Sequence, residues 1–285
     1  SLSWTATADT YASGHRVLRG TATGGPYTQI AEVTPRTTTT YIDSPAAGTY
    51  YYVARAFYQS WESVNSNEAS ATVTVGITLR GVASANNAGG ATTLTITKPT
   101  GVVANDVLLA QITVRGGTGT TITAPAGWTQ VRRDDSGTTL AQAVYVLVAG
   151  AAEPASYTWT FDTAQKASGG IAAYSGVNTA TPVNAHGGQA NASSASVTAP
   201  SITTTVANAQ LVGFFGTAKG TTFTPPTGMT EQWDTASTGG GAATRTTSEG
   251  ADEALGAAGA TGTRVATGAA AEVNIGQLVA LAPAP

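Results

Sequence analysis

The sequence predicts an all-β protein made of tandem β-sandwiches, and three observations carry that prediction. Charged residues form only 10% of the chain, while Thr and Val recur in short alternating runs that favour strands. Gly and Pro separate these runs at intervals of about ten residues, which is typical of sandwich strands. Part of the chain also repeats itself, and repetition at a fixed period indicates assembly from like modules.

Composition narrows the class of protein further. The chain has 285 residues, a net charge of -3 and 41% apolar residues, so it can build the cores of two or three domains. With only 13 Lys and Arg it lacks the basic footprint of a nucleic-acid-binding protein. The absence of cysteine favours a bacterial, archaeal or viral origin. No apolar run is long enough for a membrane span, so none is predicted.

Residues 1–75 have the pattern of one small sandwich. The candidate strands are residues 2–4, 14–20, 27–30, 40–43, 49–56 and 65–73. The stretches Gly14–Gly20 and Gly48–Ala56, followed by Ser-Asn-Glu-Ala-Ser at 66–70, resemble a bacterial fibronectin type III domain. The resemblance implies that a tyrosine at 50–52 makes a corner hydrogen bond and that the domain spaces and presents other modules.

Two departures from that family pattern bear on function. His15 stands where the family usually has an aromatic residue, and we expect it at the surface or at a sheet edge, without a metal. The strand that would precede Leu2 is missing. An open sandwich edge is normally covered, so we expect a preceding segment or a neighbour to supply a strand there.

The remainder of the chain is duplicated. Val102–Ala110 recurs as Thr205–Gly213, and Thr121–Thr129 recurs as Thr222–Thr230. Each copy has about eight candidate strands in about 100 residues, a count typical of a jelly roll or a similar double sheet. We therefore predict jelly-roll-like sandwiches over residues 76–178 and 179–285. Two tandem sandwiches are favoured over one larger domain with pseudo-twofold symmetry, since a copy of this size can bury its own core.

The candidate strands of the two copies follow the same order. In the first copy they are residues 79–83, 93–98, 106–115, 120–124, 128–134, 139–149, 156–162 and 170–177. In the second copy they are a strand near 185 and residues 196–199, 210–217, 221–224, 229–234, 244–250, 261–267 and 272–282.

Backbone geometry explains most of what the copies share. Pro125 and Pro226 stand at strand ends, and Gly127 and Gly228 follow in turns that need positive φ. Trp128 has Met229 as its counterpart, so we expect both in the cores. The phrases at 126–128 and 174–177 also resemble the Thr/Ala/Gly-rich β modules of bacterial surface proteins and phage tail or virion appendages.

The residues that catalysis needs are scattered. A nucleophilic triad needs a positioned base, and the two histidines, His15 and His186, fall in different modules. The candidate carboxylate groupings are Asp134 with Asp135, Glu153 with Asp162, and Glu249 with Asp252 and Glu253. Each lies near a predicted turn or strand end, where acids are ordinarily solvated. The charges of Arg132 and Arg133 balance those of the first pair. The sequence therefore predicts that the chain is not an enzyme and has no cofactor. A structural calcium ion bound by Glu249, Asp252 and Glu253 is kept as an alternative.

Aromatic residues are the candidate ligand contacts. Tyr157, Trp159 and Phe161 alternate with hydroxyl residues and so share one face of a strand. A row of rings can stack on sugars, but the same pattern is that of a core strand, which we favour. The second copy has Gly262–Ala266 in this place, without the rings. Trp61 lies in a loop between Ser60 and Glu62, where it is suited to an exposed contact.

These features lead to two functional expectations. The first is a non-enzymatic structural and adhesive module of an extracellular fibre, cell-surface protein or phage appendage. Its partners would be copies of itself or neighbouring modules of the same assembly. The alternative is a carbohydrate-binding appendage of a secreted polysaccharide-degrading enzyme, in which glycans would be the ligands.

Overall fold

A computed structural model describes all residues from Ser1 to Pro285. Strands make up 58% of the chain and helix 2%, in several antiparallel sheets, which confirms the predicted all-β sandwich class. The chain divides into two compact units, Ser1–Val75 and Gly76–Ala284. None of its helices has the length and apolar character that crossing a membrane requires.

The first unit contains seven strands. They are β1 (Leu2–Ser3), β2 (Gly14–Gly20), β3 (Thr28–Val33), β4 (Thr40–Tyr41), β5 (Gly48–Tyr58), β6 (Trp61–Glu62) and β7 (Ala69–Val73). One sheet has the order β3-β2-β5-β6, with β7 also pairing with β5, and β1 pairs with β4 in a separate two-stranded sheet. The second sheet is therefore much smaller than the one it faces.

Two expectations about single residues of this unit have definite outcomes. The Tyr52 hydroxyl makes a hydrogen bond of 2.9 Å to the carboxylate of Asp43. In the corner hydrogen bond of the family the acceptor is a backbone group. The prediction that His15 lies at the surface or at an edge is wrong, because only 3% of the residue is exposed. Its ring packs edge-on against Trp4, with 5.6 Å between the centroids.

The second unit contains the two repeats. The strands of the first are β8 (Thr78–Asn86), β9 (Ala91–Thr97), β10 (Val107–Arg115), β11 (Ile122–Thr123), β12 (Thr129–Ser136), β13 (Leu140–Val148), β14 (Ser156–Gln165) and β15 (Ala167–Ser175). Those of the second are β16 (Val183–Ala199), β17 (Thr203–Thr204), β18 (Gln210–Thr217), β19 (Phe223–Thr224), β20 (Thr230–Ala236), β21 (Thr247–Ala254), β22 (Gly259–Ala260) and β23 (Arg264–Leu281). Single-turn 3-10 helices occupy Gly117–Gly119 and Ala242–Thr244.

Both repeats have the same topology. The large sheet has the order β12-β13-β10-β15-β8 in the first repeat and β20-β21-β18-β23-β16 in the second. The small sheet of the first repeat has the order β11-β14-β9. Its counterpart in the second repeat is made by β19 and the outer halves of β23 and β16, which are long enough to belong to both layers.

The repeated motifs mark turns and core positions, as predicted. Gly127 and Gly228 have φ of 86° and 91°, a region that favours glycine. Trp128 and Met229 are each 8% exposed and lie in the cores of their own repeats. The duplication is therefore a duplication of the scaffold.

The large sheets of the two repeats share a buried apolar layer. Alternate residues of β10 point away from the first core and meet residues of β18, β20 and β23 in one cluster, which includes Leu109, Phe214 and Trp233. Residues 76–284 thus form one compact unit that contains two sandwiches. The two large sheets lie on either side of this shared layer. The small sheet of each repeat packs on the opposite face of its large sheet, away from the shared layer.

The shared layer also contains polar side chains that are completely buried. The amide of Gln142 donates to the Phe214 carbonyl and to the Oε1 of Gln277, at 3.1 and 2.9 Å. The Gln111 amide donates to Phe215 O at 3.1 Å, and the Tyr174 hydroxyl donates to Asp252 at 2.9 Å. Because these bonds join one repeat to the other, they specify the register in which the two sheets meet.

The expectation that Arg132, Arg133, Asp134 and Asp135 form a solvated strand end is wrong. The Arg133–Asp135 and Arg132–Asp134 pairs are partly buried. Arg132 also donates to the carbonyl of Gly188 at 2.7 Å, and Asp134 accepts a hydrogen bond from Gln277. Part of this charge cluster therefore belongs to the contact between the repeats.

Candidate binding surfaces

The predicted row of rings lies inside the core of the first repeat. Tyr157, Trp159 and Phe161 are 3%, 0% and 5% exposed. Trp159 packs edge-on against Trp128 with 5.2 Å between the centroids, and the Tyr157 hydroxyl donates to Glu153 at 2.9 Å. A sugar cannot stack on rings in this position, so the core interpretation of the alternating pattern holds.

Trp61 has the exposure that its sequence context predicts. Its side chain is 77% exposed, and the β5–β6 register places it beside Tyr58, which is 48% exposed. Two neighbouring aromatic residues at a hairpin end form an apolar surface that is suited to stacking or to a protein contact. We call this pair the hairpin aromatics.

Hydroxyl groups line the outward face of each small sheet. In the first repeat Thr123, Thr160 and Thr93 are exposed neighbours on adjacent strands. In the second repeat the corresponding exposed row is Thr224, Thr267 and Ser196. A further bond of 2.9 Å joins Thr95 and Thr158 on the first face. Both repeats thus present a surface rich in hydroxyl groups, which sequence alternation alone indicated for Ser156, Thr158 and Thr160.

The two histidines lie in different units, one buried and one exposed. His15 accepts a hydrogen bond from the Thr7 amide on Nε2, and its pKa is lowered by burial, with Arg36 adding to the effect. His186 lies exposed on β16 in the other unit. The two histidines therefore do not share one site.

The candidate acids are separated by the contacts that they make. Glu253 is paired with Arg264 at 2.5 Å, Asp252 accepts from Tyr174, and Asp162 accepts the amide of Thr121. No group of three acids or histidines is placed to hold a metal ion. Glu249, Asp252 and Glu253 are therefore not brought together, and a calcium ion remains a prediction without a site.

Glu249 is a carboxylate in a fully buried environment. It is 0% exposed, and neither of its carboxylate oxygens has a hydrogen-bond partner. Burial raises its pKa to about 8, and the nearby charges of Glu231 and Asp234 act in the same direction. Burial also raises the pKa of Asp234, although the hydrogen bond from the Phe223 amide opposes this. The folded protein therefore holds Glu249 in its protonated form near neutral pH.

A groove of about 490 Å³ opens in the first unit. One side is formed by β1 and the residues that follow it, including Trp4, and the other by residues 63–67. Val17, Tyr52, Ala54 and Ala56 from β2 and β5 line the groove between them. No side chain of the lining is Asp, Glu, Lys or Arg. No sequence pattern directly indicated this groove, which is lined by residues from separate segments of the first unit.

No protein-family model, curated protein or solved structure matches this chain. The class that its structure defines is an all-β, multi-sandwich protein. Function must therefore be argued from the surfaces above.

Proposed function

We propose that the chain is a non-enzymatic structural and adhesive module of a larger extracellular fibre, cell-surface protein or phage appendage. The observation that carries this proposal is which sheet faces of residues 76–284 are buried and which are exposed. The large sheets of the repeats are buried against each other, whereas the small sheets present hydroxyl-bearing outer faces. Such a block offers hydroxyl-bearing faces with which neighbouring copies or modules can form hydrogen bonds.

The distribution of reactive groups supports a non-enzymatic role. Most of the acids that could have worked in pairs are engaged by Arg132, Arg133, Arg264 or tyrosine hydroxyls. Asp162 accepts a backbone amide, and Glu249 is buried away from the other two acids of its grouping. The resemblance of residues 1–75 to a fibronectin type III domain supports a role in spacing modules along a longer chain. Partners in this proposal are copies of the chain or neighbouring modules.

A second candidate function rests on the hairpin aromatics. Trp61 and Tyr58 are the large exposed rings of neighbouring strands, and an apolar sugar face can pack on such a surface. This observation favours carbohydrate binding at the first unit. It also moves the candidate sugar contact from the buried Trp159 to Trp61.

Light scattering coupled to size exclusion, with electron microscopy of the same sample, separates the two candidates. A structural module is expected to form ordered multimers whose formation does not require Trp61. A strictly monomeric protein that binds an insoluble polysaccharide, and loses that binding in Trp61→Ala but not in Trp159→Phe, would contradict the structural proposal and support the second.

A further inference from the structure

We propose that the second unit carries a binding surface for an acidic polysaccharide, formed by basic side chains around the loop of residues 237–245. These side chains, which we call the basic patch, are Arg115, Lys166, Lys219 and Arg245. The surface does not depend on the assembly of the chain into a fibre, because every group in it belongs to one compact unit. The position of the cations, their lack of carboxylate partners and the uncharged groups beside them support it.

Two cations of the basic patch flank one residue of the loop. Lys166 lies in the turn between β14 and β15, and its ammonium donates to the carbonyl of Thr238 at 3.2 Å. A Cβ atom built on Gly240 would lie 3.0 Å from the Lys166 Nζ. The Arg245 guanidinium donates to the carbonyl of Gly240 at 3.0 Å. The two positive charges are therefore neighbours, although they come from different repeats.

Arg115, the last residue of β10, reaches the same loop from the first repeat. Its guanidinium donates to the carbonyl of Ala243 at 3.2 Å and to that of Ala218 at 2.7 Å. Lys219 follows Ala218 directly, which places its backbone beside this contact. All the cations of the basic patch are partly exposed. They therefore form one accessible surface where the two repeats meet.

No carboxylate balances the charges of the basic patch. None of its cations has a carboxylate oxygen within ion-pair distance. Their hydrogen bonds go to backbone carbonyls, which orient the cations but leave their charge in place. The basic residues that do have a carboxylate partner are Arg16, Arg19, Arg55, Arg80, Arg132, Arg133 and Arg264. The basic patch therefore produces a local positive potential on a chain whose net charge is -3.

The uncharged groups beside the cations favour a sugar polymer among the polyanions. Thr238 and Thr244 are exposed on the loop, and their hydroxyls are suited to hydrogen bonds with sugar hydroxyls. Residues 237–245 include no aromatic ring on which the bases of a single-stranded nucleic acid could stack. They also include no large apolar side chain of the kind that anchors a protein partner. A polymer of uronic or sulfated sugars meets these conditions, because its acid groups can pair with the cations.

Biolayer interferometry of the full chain tests the proposal. The immobilised probes are polygalacturonate, which has a carboxylate on each sugar, and dextran sulfate, with neutral dextran as the control. We expect binding to an acidic polymer and none to neutral dextran, with an affinity that falls steeply between about 50 and about 200 mM NaCl. Since the net charge of -3 repels a polyanion, such binding reports a local positive surface. The ratio of the two affinities identifies the preferred acid group.

Matched lysine variants connect the binding to the basic patch. Lys166→Gln combined with Lys219→Gln should weaken binding by about tenfold or more, whereas arginine at both positions should keep it. Lys219→Gln alone should weaken binding severalfold without disturbing the fold, because Lys219 contributes its carbonyl to the structure, as the acceptor of the Thr247 hydroxyl. Lys98→Gln is the control, since Lys98 also lacks a carboxylate partner and lies at the end of β9 away from Lys166. It should bind as the parent does.

Urea unfolding of each variant shows that a change in binding does not come from a loss of the fold. Three results would overturn the proposal. One is the absence of binding to both acidic polymers at about 50 mM NaCl. Another is an equal effect of Lys98→Gln and Lys219→Gln, which would assign the binding to net charge. The third is tighter binding to a single-stranded DNA of the same total charge, which would make nucleic acid the partner.

Discussion

The indole of Trp233, from the second repeat, lies directly against Gly170 of the first. A Cβ atom built on residue 170 would be 2.3 Å from Cε2 of this indole, and one built on Gly250 would be 2.3 Å from Cζ2. The Trp233 Nε1 also donates to Gln111 at 3.1 Å. One large side chain therefore occupies a space left by two glycines, one from each repeat.

The corresponding place in the first repeat is filled in a different way. Arg132 follows a β-bulge in β12 just as Trp233 follows one in β20, so the two positions are equivalent. Arg132 lies close to Gly188, and its partner Asp134 accepts a hydrogen bond from Gln277. The two repeats therefore differ in complementary ways where they meet.

Substitution of Gly170 tests this close approach. Gly170→Ala is expected to destabilise the second unit by about 1–3 kcal/mol, because the added methyl group displaces the Trp233 ring. The free energy of unfolding from urea titration measures the effect. Gly256→Ala is the control, since a Cβ there meets no atom within 4 Å. Equal stabilities of the parent and Gly170→Ala would show that the packing of the Trp233 ring does not require a glycine at position 170.

Glu249 predicts a specific pH dependence. Its pKa is about 8 in the folded protein and about 4.5 unfolded, because burial disfavours the charge. The folded state therefore binds more protons between these values, and stability is complete below pH 4.5 and falls as the pH rises towards 8. The expected loss is on the order of a few kcal/mol.

Glu249→Gln should remove this loss, so that the variant gains stability relative to the parent between pH 5 and pH 8. Denaturant titrations across that range provide the measurement. Asp162→Asn, which changes an exposed carboxylate of the first repeat, is the matched control and should keep the parental slope. If Glu249→Gln kept the parental slope of unfolding free energy against pH, a group other than Glu249 would be responsible for that slope.

Trp159 and Trp61 form a matched pair of tests for core and surface. Trp159→Ala removes a ring that is 0% exposed and is expected to cost about 3–5 kcal/mol. Trp61→Ala removes a ring that is 77% exposed and should change stability by less than about 0.5 kcal/mol. Thermal and urea unfolding measure both. Similar effects of the two substitutions would contradict the assigned positions.

The sequence predicted the central strands of the repeats because the turn residues beside them recur. It was wrong to divide β16 into a strand near 185 and residues 196–199, and β23 into residues 261–267 and 272–282, because each of these is one long strand. The predicted strand at 210–217 agrees with β18, and Gly127 and Gly228 have the positive φ that was expected. The aromatic pattern at 157–161 indicated a strand but not which face is buried, because alternation looks the same from either side. Only the packing of Trp159 against Trp128 decides that question.

Other features could not be predicted because they arise between distant segments. Glu249 lies in a strand with small and polar neighbours, so no hydrophobic pattern indicated that it is buried. Its burial follows from the packing around β21. The groove likewise depends on β1 and residues 63–67 approaching the same floor, and no local motif records that approach.

The central claim is that the two repeats are complementary halves of one structural block. Native mass spectrometry of separately produced residues 76–178 and 179–285, alone and mixed, tests it most directly. The account predicts that each half alone is poorly folded or aggregated, because the apolar layer around Phe214 and Leu109 is exposed, and that the mixture forms a one-to-one complex. Two stable, folded monomers that do not associate when mixed would contradict it.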